Sequence, residues 1–383
     1  TTIIKMISPT SSSSSSSSSA TTTTTTIRSI TSIVIPLILA ILTLPLYQTI
    51  LVGDPLSHVI PNTLLFTGFR QWTYDTWVST LDFNSRQDTK AQPIAEIQAD
   101  EYSFDELRRV TRNFRDPAVV RGLFNGTKAL ETWGKPGVLG KRVGDFIVPV
   151  IEDGVYRTVR QRKLMKIADA LDEIMKNPNS KKYLFVPNHS RRDNTTYEGP
   201  TLKKRINKVV LEDLEIDKRI APGFGTEGTR GYFGAQIIAG QGKDDPDETT
   251  GTDWHCAIGS NYFIQIVGTK RWYFMDPKYS SWMHPLKGGR VHFVAGNNNM
   301  SELQRYLPVT YVDLKPGDIL YNPDWHWHAI KNHKGLSLAI PLRELRFLRS
   351  ARNNLHFTSI VTVNRGLEKI GLTLGGYPPE NDH

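Results

Sequence analysis

From Gly231 onward the chain alternates short apolar runs with Gly, Asn, Asp and Pro, a spacing that suits strands and is too short for helices. "NYFIQIV" and "KRWYFMD" flank Gly268-Thr269, which predicts a β-hairpin. "RVHFVAG", "VTYVDL", "DILYN", "HWHAIKN" and "LSLAIPL" follow as further strands. The helical signals come earlier. In "SFDELRRVTRNF", Ser103 and Glu106 form a capping box that predicts a helix start. In "KLMKIADALDEIMKN", Leu164, Ile167, Leu171 and Ile174 recur at helical spacing before Pro178. Helices gathered early and strands late argue against repeated βαβ units and predict a mainly β double-sheet jelly roll with flanking helices.

Ahead of these elements the pattern is of another kind. Residues 10 to 26 are almost purely Ser and Thr, so residues 1–29 read as a disordered tail. The run "ITSIVIPLILAILTLPLYQTILV", Ile30 to Val52, carries no charge and is long enough to cross a bilayer. A cleaved signal peptide is the alternative, but the run exceeds the usual apolar core of one and no A-x-A site follows. An N-terminal transmembrane helix is the favoured expectation. Lys5 and Arg28 before the span point to a cytoplasmic tail, making this a single-pass membrane protein whose globular part is lumenal or extracellular. N-x-S/T triplets at Asn125, Asn188, Asn194 and Asn299 fit that topology. Residues 53–100 read as a stalk, 101–345 as the folded domain and 346–383 as a C-terminal extension.

Composition narrows the chemistry. A chain of 383 residues, 39% hydrophobic, can bury a full core. Cys256 is the sole cysteine, which excludes an internal disulfide and a thiolate zinc site. The net charge of +9 is spread over clusters with acidic neighbours, so it reads as solvated surface and no nucleic-acid partner is expected. No GxGxxG before a helix, GxxxxGK[ST], GxSxG or HExxH occurs.

Two segments hold paired chemistry: His255 in "GTDWHCAIGSN", and His326 and His328 in "NPDWHWHAI". A jelly roll brings strands distant in sequence side by side, so His255 can meet a second histidine. Residues two apart share a face, which groups Asp253, His255 and Ala257 against Trp254 and Cys256, and His326 with His328 against Trp325 and Trp327. An ordinary aromatic strand is the plainer reading of the second segment.

These segments resemble the cupin-8/JmjC family of Fe(II)- and 2-oxoglutarate-dependent oxygenases, particularly its asparaginyl hydroxylase branch. The family pattern T-x-x-H-x-D, then Asn, then Q-x-x-G-x-K-R, is matched by Thr252, His255, Asn261, Gln265, Gly268, Lys270 and Arg271. "DILYNPDWHWH" resembles the later G-D-x-L-x-x-P-x-x-W-x-H segment, and "DPAVVRGLF" an early one. The resemblance covers about residues 100 to 345. It implies a double-stranded β-helix with Fe(II) held by His255 and His328, and 2-oxoglutarate held by Lys270 with Thr252, Asn261 and Tyr262. Lys270 as a solvated turn cap and Asn261 as a strand-end residue are the alternatives.

Ala257 departs from the pattern, standing where the family has a carboxylate ligand. His326 could complete a three-histidine site, Asp253 could swing in, or chloride could fill the position, as in non-haem iron halogenases. The fourth reading is a site that binds no metal. The expected function is a membrane-anchored oxygenase, hydroxylase-like or halogenase-like, acting on a protein, glycan or small molecule. The rival is a catalytically inactive cupin domain that binds a protein or glycan.

Overall fold

The computed structural model describes residues 91–143, 146–152, 155–156, 162–186, 199–222, 224, 232–244, 250–287, 291–296 and 304–369, together with residues 75, 76 and 79. The Ser/Thr-rich tail, the apolar run 30–52, most of the stalk and the sequons at Asn188, Asn194 and Asn299 lie outside the described residues. Among the described residues no helix is long and apolar enough to cross a membrane.

The strands are β1 (Gln92–Pro93), β2 (Ala95–Gln98), β3 (Ala118–Arg121), β4 (Ile147–Ile151), β5 (Val155–Tyr156) and β6 (Arg162–Lys166). They continue as β7 (Tyr183–Val186), β8 (Tyr232–Ala235), β9 (Ile237–Gly242), β10 (Gly251–Ala257), β11 (Ser260–Val267) and β12 (Lys270–Met275). The last are β13 (Pro285–Lys287), β14 (His292–Ala295), β15 (Thr310–Leu314), β16 (Ile319–Asn322), β17 (Trp327–Asn332) and β18 (Gly335–Glu344). One sheet runs β1-β15-β12-β17-β10-β14-β13, with β5 beside β10. The other runs β2-β3-β16-β11-β18-β9-β7-β4-β6, with β8 beside β18.

From β10 to β12, and again from β15 to β18, successive strands alternate between the two sheets. That alternation makes a jelly roll, as the strand pattern predicts, but it overturns the hairpin. β11 pairs with β16 and β18, whereas β12 pairs with β15 and β17. Gly268-Thr269 is therefore a corner between sheets. Gly268 has φ 70°, and a Cβ there would collide with the Leu336 carbonyl, so glycine is required.

Side-chain alternation divides the core into layers. Phe263, Leu320 and Ala339 from one sheet meet Trp272, Phe274, Val312 and Ile330 from the other in the barrel interior. On the outer face of the second sheet, Ile264, Leu338, Ile340 and Leu342 join a cluster with the helices. Helix α1 (Phe104–Val110) starts at the expected cap, Ser103 Oγ accepting from the Glu106 N–H at 3.0 Å. Helix α2 (Ile167–Lys176) buries Ile167, Leu171 and Ile174, whereas Leu164 lies on β6 and is 62% exposed. The helical period thus begins at Ile167, and the match at Leu164 was coincidental. Helix α3 (Gly199–Asp213) adds Leu202, Ile206 and Val209 to the same layer. Each such aliphatic residue contributes about 1.5–3 kcal/mol by burial.

Helices α4 (Phe347–Asn353) and α5 (Leu355–Lys369), within the C-terminal extension, cover the outer face of the first sheet. Phe357 and Val361 pack with Phe293, Trp325 and Trp327, and Trp325 Nε1 donates to Thr358 Oγ1 at 2.8 Å. An ion cluster ties α4 to the barrel. Arg349 donates from Nε to Asp324 at 2.9 Å and pairs through Nη2 with Glu344 at 2.7 Å, and both carboxylates are fully buried. Ser350 Oγ donates to the other Asp324 oxygen at 2.6 Å.

Removing Arg349 leaves buried Asp324 without a cation and Glu344 with only Arg346, at 3.0 Å, a change that costs about 3–5 kcal/mol. Arg349→Leu should therefore lower the urea midpoint steeply, whereas Arg109→Ala on the exposed side of α1 should cost under about 0.5 kcal/mol. Equal midpoints for the two variants would show that the cluster does not anchor α4.

Candidate metal and anion site inside the barrel

β10 and β17 run antiparallel, and His255 stands directly across the ladder from His328 with ring centroids 4.1 Å apart. The register slips between Thr252, which faces Ile330, and His255, which faces His328. This bulge in β10 interrupts the simple alternation, so Thr252 and His255 share the interior face with Ile330 and His328. Asp253 falls on the bulge and is exposed, while Trp254 and Cys256 join the outer cluster.

The same local bond fixes both rings. His255 Nδ1 lies 2.8 Å from the Asp253 carbonyl oxygen, and His328 Nδ1 lies 2.8 Å from that of His326. A carbonyl only accepts, so each Nδ1 carries the proton and each Nε2 keeps its lone pair. Burial opposes protonation as well. It pushes the pKa of His255 down to about 4 and that of His328 well below its ordinary value, with the Arg343 charge acting in the same sense on both. Trp272 stacks on His328 at 5.3 Å and 22°. Two neutral imidazoles, each tied through its second nitrogen to a carbonyl, fit a divalent first-row metal such as Fe(II).

A third protein ligand does not join them. Among the described residues no group of three His, Cys, Asp or Glu side chains is placed to hold a metal. Trp325 has φ 63°, and this kink ends the two-residue alternation before β17 begins. His326 instead meets the edge of Phe274 at 6.0 Å and a backbone hydrogen bond at Arg115. The exposed Asp253 does not complete the set either. Ala257 lies two positions beyond His255 on the same face, opposite His292 of β14.

Lys270 is fully buried on β12, so the solvated turn cap is excluded. Its ammonium donates to Asn332 Oδ1, its partner across the ladder, and sits 6.0 Å from the Phe263 ring centroid. Asn332 donates in turn to Thr250 Oγ1. Burial among these neutral groups lowers the Lys270 pKa to about 7. Thr252 Oγ1, Asn261 Oδ1 and Asn322 Oδ1 are buried with no hydrogen-bond partner, a state that native interiors rarely leave without a ligand or water.

Asn261 alternates with Phe263 and faces the interior between Asn322 and Arg343. Tyr262 consequently faces outward. It packs against Phe224 at 4.8 Å and Tyr321 at 5.1 Å in the helical layer, which removes it from the expected cosubstrate pocket. Asn322, Asn332 and Arg343 were not singled out from the sequence. Counting by twos from Leu320, His328 and Ala339 reaches each of them, once these strands are known to face inward.

A cation buried without a carboxylate partner is a cost to the ligand-free fold. Lys270→Met should stabilise that fold by about 1–4 kcal/mol at pH 7. Because the folded pKa of about 7 lies below the ordinary 10.5, the unfolded chain binds more protons between them. Stability should therefore rise with pH through that window in the native protein and lose this rise in the variant. Equal stability of the two proteins across that window, followed by urea unfolding, would contradict a costly buried cation at Lys270.

A model of the cupin-like domain matches residues 105–342, well over half of the chain. No curated protein matches the sequence. The matched span contains the alternating strands, both facing histidines and Lys270, and the chain belongs to the cupin-like domain family.

Proposed function

We propose that the barrel is the site of an Fe(II)- and 2-oxoglutarate-dependent oxygenase in which the chain supplies two metal ligands. The observation that carries this reading is the facing pair His255 and His328, each with Nδ1 tied to a carbonyl and Nε2 left as the donor atom. When bound, ferrous iron and 2-oxoglutarate supply dioxygen activation coupled to oxidative decarboxylation of the 2-oxo acid to succinate and carbon dioxide. His255 and His328 hold the metal. Lys270, oriented by Asn332, pairs with the distal carboxylate of the cosubstrate, and Thr252 donates its hydroxyl. Asn261 offers its amide on the same inner face. Phe263, Trp272 and Phe274 line that interior and exclude water.

Ala257 leaves one coordination position to an external ligand. Water there suits hydroxylation, and chloride suits halogenation. That no third ligand joins the pair among the described residues is also the observation that favours the rival reading, an inactive cupin domain that binds a protein or glycan. In either case the run 30–52 would tether the barrel to a membrane with the domain on the lumenal or extracellular side.

Purified full-length protein should take up Fe(II) and consume 2-oxoglutarate. His255→Ala or His328→Ala should abolish both, while His326→Ala should leave metal affinity unchanged. Failure to bind Fe(II) or to consume 2-oxoglutarate, with and without chloride, would replace the oxygenase by the inactive module.

A further inference from the structure

One surface motif takes no part in the barrel chemistry. Of the four N-x-S/T triplets, Asn125-Gly126-Thr127 is the one within the described residues, and it falls in a tight turn shortly after β3. The Thr127 N–H donates to the Phe124 carbonyl at 3.2 Å, which closes a four-residue turn with Asn125 and Gly126 at its centre. Gly126 has φ 75°, the left-handed backbone that favours glycine at the third position of a turn. The Asn125 N–H donates to the Gly122 carbonyl at 3.0 Å, so the backbone of Asn125 is held while the residue itself stays exposed. Its side chain lies against Gly122 and Gly317, where an added Cβ would press on it. The turn is fastened to the start of β16. The Phe124 N–H donates to the Gly317 carbonyl at 2.9 Å, and the Gly122 N–H to Asp318 Oδ1 at 2.9 Å. Asn322, which lies 3.4 Å from His328, is at the other end of that strand. A group attached at Asn125 therefore stands off the end of the barrel away from Asn322.

We infer that Asn125 is a modification site whose side-chain amide receives an oligosaccharide from a lipid diphosphate donor. The inference rests on the lumenal or extracellular placement proposed above for the domain, and is independent of any metal or cosubstrate. In the transfer, Asn125 Nδ2 gives up one proton and bonds to the anomeric carbon of the sugar. The bond from that carbon to the phosphate oxygen breaks, and the lipid diphosphate leaves with the electron pair. Thr127 is 1% exposed and its hydroxyl donates to the Phe124 carbonyl at 2.8 Å, so the whole triplet is open to a transferase only before this turn packs. Asn125 remains on the surface afterwards, so the finished fold accommodates a bulky, solvated glycan there. The attachment point lies on a turn that two backbone hydrogen bonds fix to the barrel, and the interior groups keep their surroundings.

The test is peptide mapping by mass spectrometry of the full-length native protein expressed in eukaryotic cells, before and after an amidase that releases N-linked glycans. The peptide containing Asn125 should carry a glycan, and enzymatic release should leave aspartate at that position. Two variants assign the shift. Asn125→Gln should lose one glycan's mass relative to the native protein, and a chain carrying Asn188→Gln, Asn194→Gln and Asn299→Gln together should keep a glycan on Asn125. An unmodified Asn125 in a native protein whose other triplets carry glycans would overturn the proposal and leave the placement of the domain standing. A native protein with no glycan at any of the four triplets would overturn the proposal and the lumenal or extracellular placement together.

Discussion

The antiparallel pairing of β10 with β17, with its single bulge, is the constraint on which the candidate site depends. It sets His255 against His328 and, one register step earlier, turns Thr252 to the same inner face. Strict alternation would have sent one of the two outward. The bulge also displaces Asp253 to the surface, where its carbonyl rather than its carboxylate serves the site by fixing the His255 tautomer. His326 plays the equivalent part for His328 through its own carbonyl. The two residues considered as extra ligands thus act through their backbone on the two facing imidazoles.

Electrostatics give the interior its direction. Lys270 and Arg343 stand on opposite sheets with the imidazole pair, and burial holds Lys270 near neutrality without a ligand. Orphaned polar atoms at Thr252, Asn261 and Asn322 occupy the same inner face. Buried polar groups of this kind cost stability unless a partner offsets them. The apolar layers on both outer faces, and the Arg349 cluster that fixes α4, supply the rigidity that lets the barrel hold these groups in place.

Much of this was legible in the chain. The late strands, the Ser103 cap and the meeting of His255 with a histidine of the second segment follow from local pattern and period, whereas a buried Lys270 came only from the family resemblance. What escaped had specific physical causes. A Gly-Thr step signals a tight turn but not whether its strands share a sheet, so the corner at Gly268 read as a hairpin. Leu164 matched a helical period from within a strand. Asn261 and Tyr262 are adjacent and cannot both face inward, a contradiction that alternation alone exposes. The positive φ at Trp325 interrupts the alternation ahead of β17, and no propensity marks such a kink.

The central claim is that His255 and His328 form a metal site lacking one ligand at Ala257. Its most direct test is the Co(II) affinity of Ala257→Asp beside that of the native protein, measured without added anion. A carboxylate placed on the face of the pair should tighten binding by at least about tenfold, the scale on which neighbouring groups act at metal sites. An affinity unchanged by the substitution would contradict the site as described.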